Sequence, residues 1–211
     1  MKSKVDYAYE ILKKKIINFE LLPLTDISED ELQKELHISR TPVREAIQRL
    51  AKEGFVRIYS RKATIVSDLT LDLINHVYEV RLLNEPYIAK LACRYIPEQE
   101  IDAFQEKFLK LKSNYNSKEN REYYIDLDKQ LHEMLIENCK NVFLLDLFKV
   151  INDHSQRIRI FTSRKNTSYS KSIEEHLQIL AALKEHDEAA VEEAVRNHII
   201  TARSEAFEFY N

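Results

Sequence analysis

One glycine in 211 residues, Gly54, narrows what this chain can become more than any other single property. Glycine takes positive φ, and lets a backbone approach a phosphate closely, without steric cost. The Gly-rich loops of dinucleotide-binding and P-loop folds therefore have no residue to be built from. A hairpin-rich all-β fold loses its commonest turn residue as well. Helices are left as the main element. A hydrophobic content of 44%, with eleven Tyr and nine Phe, gives them a sizeable core to share. At this length two domains are expected. No apolar run reaches about 18 residues, so nothing is expected to span a membrane. The start, Met1-Lys2-Ser3-Lys4, leads into an amphipathic helix and not an apolar signal core. Cys93 and Cys139 lack C-x-x-C spacing and read as small core residues in a reducing cytoplasm.

The stretch Ile38-Ser39-Arg40-Thr41-Pro42-Val43-Arg44-Glu45-Ala46-Ile47-Gln48-Arg49-Leu50 organises the N-terminal part. On a helix turning about 100° per residue, Val43, Ala46, Ile47 and Leu50 share one arc. Arg40, Thr41, Arg44, Gln48 and Arg49 occupy the other side. Pro42 suits the first turn, Ser39 or Thr41 can cap the start, and Gly54 suits a left-handed exit. A shorter helix over 28–36 opens with Ser28-x-x-Glu31, a capping-box pattern, and a helix over 4–19 precedes it. After Gly54, the β-rich runs 55–59 and 63–66 flank Ser60-Arg61-Lys62 and predict a two-stranded wing. Charge follows the same division. Residues 37–66 carry seven Lys and Arg against two Asp and Glu, while residues 67–211 carry 19 against 25. The positive charge sits on the second helix and the wing, which suits a polyanion.

Residues 4–67 thus resemble the winged helix-turn-helix of GntR-superfamily transcription regulators, and Ser39-Arg40-Thr41-Pro42-Val43-Arg44-Glu45-Ala46 is that family's most specific signature. The resemblance implies a homodimer that reads an inverted repeat of double-stranded DNA, with half-sites about one turn apart. Arg40 and Arg44 would meet base edges and phosphates, Ser39 and Thr41 phosphates or bases, and Arg49 the backbone. Asp30 stands where relatives often carry an arginine facing phosphate, which shifts the load onto Arg40, Arg44 and Arg49. Ala63 stands where the wing usually has glycine.

From residue 70 onward the periodicity predicts helices over 70–96, 97–111, 121–139, 142–162, 172–186 and 188–208. Together they make an all-α bundle of about six, with Pro86 kinking or splitting the first and 113–120 as a polar loop. Several of these helices carry a polar residue inside the apolar arc. Asp128 and His132 are i,i+4 neighbours on one face, His176 lies among Ile173, Leu180 and Leu183, and His198 lies among Val191, Val195 and Ala202. Arg81 lies among Leu73, Val77 and Ile88, with Glu85 one turn on. Buried ionisable groups need partners. One carboxylate and three imidazoles could hold zinc or another borderline divalent ion with a position left open. Spacing leaves it open whether the four converge or serve as satisfied core residues. His37, His76, His154 and His186 read as solvated or locally hydrogen-bonded.

Residues 70–208 resemble the FCD ligand-binding domain of FadR-type GntR regulators through Arg81-x-x-x-Glu85, Asp128-x-x-x-His132, Glu175-His176 and the late His198. The resemblance implies a metal set of Asp128, His132, His176 and His198, most simply for zinc, with nickel or manganese as alternatives. It also implies a small organic acid effector met by Arg81, whose competing role is an ion pair with Glu85. The expected organisation is mostly α. A winged helix-turn-helix DNA-binding domain spans 1–67, and an FCD-like effector- and metal-binding domain spans 68–211. The expected function is a ligand-responsive cytoplasmic transcription regulator and not an enzyme. The alternatives are a metal-dependent enzyme acting on small carboxylates and a helical scaffold with histidines in its core.

Overall fold

The computed structural model describes residues 3–59, 63–114, 118–163 and 169–209. The chain forms two compact units, Met1–Thr70 and Leu71–Asn211.

In the first unit α1 (Lys4–Ile17), α2 (Glu29–Leu36) and α3 (Arg40–Lys52) are followed by β1 (Val56–Tyr59) and β2 (Ala63–Val66). The strands pair antiparallel from Val56↔Val66 to Tyr59↔Ala63. The tip Ser60-Arg61-Lys62 lies outside the described residues. Val43, Ala46, Ile47 and Leu50 of α3 are buried with Ala8, Leu12 and Ile16 of α1, as the wheel requires. Ser28 caps α2, its Oγ accepting from Glu31 N–H at 3.3 Å. Ser39 occupies the N-cap position of α3, but its side chain makes no capping bond. The connection after α1 is held to the wing by backbone hydrogen bonds. Ile27 N–H donates to the Thr64 carbonyl at 2.7 Å and Val66 N–H to the Thr25 carbonyl at 3.0 Å. This segment therefore lies along the free edge of β2 and satisfies groups that an edge strand would expose.

The second unit contains α4 (Leu71–Ala92), α5 (Glu98–Asn114), α6 (Lys118–Asn138), α7 (Val142–Thr162), α8 (Ser170–Lys184) and α9 (Glu188–Glu208). α4 and α9 pack along one another, α8 lies against α9 and α5, and α6 and α7 close on α4. Asn141 and Asp187 cap α7 and α9 through their side-chain oxygens. Of the kink or split expected at Pro86, the split does not occur, and α4 runs through it. Ile74, Val77 and Tyr78 before the proline, and Ile88, Ala89 and Ala92 after it, are buried on the same core. That burial outweighs the roughly 3 kcal/mol a proline costs inside a helix. The polar loop is also shorter than predicted, because α5 and α6 extend into both of its ends.

With one glycine, other residues take the left-handed turns. Gly54 has φ 84°, but Phe19, Leu24, His37, Lys140 and His186 also have positive φ, between 53° and 65°. Four of the five, all but Leu24, lie just beyond helix ends. Among the described residues no helix is long and apolar enough to cross a membrane.

Candidate functional site

Two places in the molecule gather functional side chains, one in each unit.

On α3, Arg40 and Arg44 are one turn apart and about 57% exposed. Both lean on α2. Arg44 Nε and Nη2 each lie 3.1 Å from a different oxygen of Glu29. Arg40 pairs through Nη2 with Asp30 and sits 3.7 Å from Glu29. Arg49 belongs to a different neighbourhood. It is nine residues from Arg40, about half a turn away in azimuth. Its guanidinium covers the Tyr9 ring of α1 at 3.6 Å and lies 3.4 Å from both Asp6 and Glu53. Ser39 and Thr41 are exposed at the start of α3 beside Arg40. Arg40, Arg44, Ser39 and Thr41 thus share a surface, and Arg49 faces α1 at its far edge.

In the second unit Asp128, His132, His176 and His198 are all buried, and one ligating atom from each lies within 4.8 Å of the others. α6 supplies the first two, α8 the third and α9 the fourth. His132 Nε2 and His198 Nε2 are 3.4 Å apart. Their outer nitrogens are tied to carboxylates: His132 Nδ1 lies 3.1 Å from Glu85 and His198 Nδ1 3.0 Å from Glu175. A carboxylate at Nδ1 holds the proton there and leaves a lone pair on Nε2. Two lone pairs then face each other across 3.4 Å. His176 Nε2 lies 3.0 Å from Asp128, but it is out of line for a hydrogen bond, and neither ring nitrogen of His176 has a hydrogen-bond partner. Phe108 stacks on the His176 ring at 4.9 Å and fixes its plane.

The electrostatics favour the forms a cation needs. Burial, then the nearby His176, push His198 down to about 3. Burial also lowers His132, more than Glu85 raises it. Both imidazoles are therefore neutral at neutral pH, as ligands must be. Burial alone would raise Asp128, but Arg159, His176 and His132 hold it well below the usual carboxylate range. A buried carboxylate, neutral inward-facing imidazoles and an orphaned buried histidine fit a divalent cation at their centre.

A cavity of about 320 Å³ opens on this cluster, with Asp128 and His198 in its lining beside Arg81, Arg159, Tyr78 and Tyr124. Arg81 is buried and grips Glu85 through Nε at 2.7 Å and Nη2 at 3.2 Å. The ion pair considered from the sequence is present, and the same guanidinium borders the cavity. Arg159 of α7 was not singled out by sequence reasoning. Its Nε lies 2.5 Å from Asp128 Oδ2 and its Nη1 donates to Gln156 at 2.6 Å. The usable signal on α7 was its buried stripe, where His154, Ser155 and Arg157 stand beside Phe148 and Ile158. His154 is accordingly not a solvated histidine. His186 makes a local contact, its Nδ1 3.3 Å from the Cys93 carbonyl, and His37 and His76 are exposed.

Two family models match the chain. The family model described as bacterial regulatory proteins, gntR family, matches residues 4–66. The FCD domain model matches residues 76–201. The chain is 30% identical to the Nta operon transcriptional regulator of Aminobacter aminovorans, over 87% of this chain and 85% of that protein. It is 27% identical to the uncharacterized HTH-type transcriptional regulator YdhC of Bacillus subtilis, over 90% and 85% respectively. Among solved structures, E. coli McbR/YncC shares the fold across 100% of both chains, with a TM-score of 0.82 at 19% identity.

Proposed function

This chain belongs to the GntR family of bacterial regulatory proteins and carries an FCD domain, and from that premise we propose that it is a metal-dependent sensor of a small organic acid controlling an operator. Both families are regulatory and the relatives are transcriptional regulators, so a catalytic role for the buried cluster is set aside. The chain is a transcriptional regulator; the metal, the effector and the individual contacts are our reading.

The observation that carries the metal is the facing pair of Nε2 atoms at 3.4 Å, each backed by a carboxylate. Asp128, His132, His176 and His198 would hold the ion, with zinc the simplest choice and nickel or manganese as alternatives. The ion would supply a Lewis-acidic anchor for one carboxylate oxygen. Arg159 and Arg81 line the same cavity and would meet the rest of the acid through their remaining N–H donors. A volume of about 320 Å³ is near the lower end for ligand pockets, which limits the effector to a small molecule.

The N-terminal unit, 1–67, would read double-stranded DNA. Arg40 and Arg44 would reach base edges and phosphates, Ser39 and Thr41 would add hydroxyl contacts, and Arg49, held against Tyr9, would reach the backbone from the far edge. Residues 68–211 would sense the effector. A homodimer reading an inverted repeat suits this arrangement. On the second unit, Leu83 and Tyr87 of α4 and Phe143 and Leu147 of α7 are exposed apolar side chains that a second copy would cover. Effector binding would shift the population between DNA-competent and incompetent forms.

A thermal-shift screen of small organic acids, with and without chelator, tests metal and pocket together. The expected result is a rise in melting temperature with one class of acid, abolished by chelation. Elemental analysis showing no stoichiometric metal, even after incubation with zinc, would leave the histidines as core residues.

A further inference from the structure

The Glu29–Arg44 pair has a geometry that the DNA reading above does not use. Glu29 takes Arg44 side-on, its two oxygens at 3.1 Å from Nε and from Nη2. A guanidinium has five N–H donors in a rigid fork. Side-on pairing occupies two of them and leaves the Nη1–Nη2 end, the edge that fits the O6 and N7 acceptors of guanine. The same pairing cancels the charge that a phosphate would attract. Glu29 also lies within 3.7 Å of Arg40, whose Nη2 is held by Asp30. Asp30 in turn accepts from Gln33 at 3.2 Å. Glu29 and Asp30 of α2 thus both hold arginines of α3.

We propose that Glu29 is a specificity-determining positioning residue: it presents the end of Arg44 to one guanine per half-site and suppresses sequence-independent phosphate binding by that arginine. The proposal rests on the reading of α3 as the recognition helix. Without Glu29 the Arg44 side chain is a mobile full charge, free to take the nearest phosphate. With it, the fork is oriented before contact, so the ordering cost of reading a base is reduced. Affinity for random DNA and discrimination among sequences therefore change in opposite directions when Glu29 is altered.

The experiment selects duplexes of about three helical turns from a randomised pool, using the full-length protein. Affinity is then measured for the selected duplex and for a scrambled one over a range of salt. For Glu29→Gln the expectation is that scrambled-duplex affinity rises about three- to tenfold and guanine preference at one position per half-site falls by a similar factor. The salt slope should steepen by about one phosphate contact. Glu29→Asp keeps the charge but shortens the reach. It should lose the guanine preference while the salt slope stays at the wild-type value, a separation that a simple charge effect would not produce. In an Arg44→Lys background, Glu29→Gln should leave the selected sequence unchanged. Equal shifts for selected and scrambled duplexes, or no shift at all, overturn the proposal while leaving the DNA reading intact. A wild-type protein with no salt-dependent duplex binding would remove both.

Discussion

Both units pair arginine with glutamate, and the two pairs differ in their surroundings more than in their geometry. Arg44 and Glu29 form a bidentate contact in which the guanidinium is 57% exposed. Arg81 and Glu85 form a similar bidentate contact in which it is 2% exposed. Water solvates both halves of the first pair, so losing its carboxylate costs the fold little. Separating the second would strand a charge where nothing else can solvate it. The exposed pair orients a side chain without supporting the fold, and the buried pair is a fixed frame. Glu85 also holds His132, so the frame aims an imidazole at the centre of the cluster. Between these extremes stands Glu53, half-buried beside Lys13 at 2.9 Å and accepting from the Tyr9 hydroxyl.

If burial sets the role, it should also set the size of each mutational effect. The largest is expected for Glu85→Ala, which leaves Arg81 buried without its partner and His132 without its anchor. A loss of about 3–5 kcal/mol is expected, read as a lower urea midpoint. A small effect there would break the comparison at its strong end. Next comes chelation, which tests the proposed ion. At a free concentration a hundredfold above Kd, bound metal stabilises by about 2.7 kcal/mol, so stripped protein should melt earlier. His176→Ala should melt at or below the stripped value and show no response to chelator. Because the truncation also leaves a cavity beside Phe108, the lost response to chelator, and not the starting melting temperature, checks the metal reading.

Helix boundaries were legible in the sequence where a cap names them, as at Ser28, Asn141 and Asp187. The inward polar residues were legible because helical period places them among leucines and isoleucines, and Asp128, His132, His176 and His198 are all buried. Other features depend on partners distant in sequence. Nothing near Arg159 shows that Asp128, on another helix, lies 2.5 Å away. Glu85 and Glu175 could be seen as acids near the set, but not as the groups fixing two imidazoles, since that needs the packing of four helices. The 24–27 segment pairs with β2 although its sequence reads as a connection, because the bonds that join it to β2 are tertiary. Left-handed exits at Lys140 and His186 could not be read from a glycine that is absent.

Glu53 tests the middle of the scale. Burial raises its carboxyl, but hydrogen bonds from Lys13 and Tyr9 outweigh that and hold it below the ordinary value of 4.5. A carboxyl depressed in the folded state contributes stability that is fully present above the unfolded value and lost as pH falls through the folded one. The wild-type N-terminal unit should therefore lose protection in that acid window, and Glu53→Gln should flatten the loss. The contribution at neutral pH should be about 0.5–1 kcal/mol after allowing for solvent screening. Amide exchange in α1 and α3 measures it without interference from the second unit. An unchanged acid profile would mean that the Tyr9–Lys13–Glu53 contacts do not order that face.

The smallest effect is expected at the exposed end. Glu29→Gln removes an acid from the first turn of α2, where a negative charge complements the helix dipole. It also releases Arg44 to solvent. Both changes are screened by water and salt, so the melting temperature should stay at the wild-type value within error, at low and at high salt alike. The prediction has force because the same substitution is expected to change DNA discrimination severalfold. A residue that moves sequence preference without moving stability acts on the contact and not on the scaffold. If Glu29→Gln instead melted early, α2 would depend on that carboxylate for its own order. The exposed pair would then be a second frame, and exposure would no longer separate the two kinds of arginine in this chain.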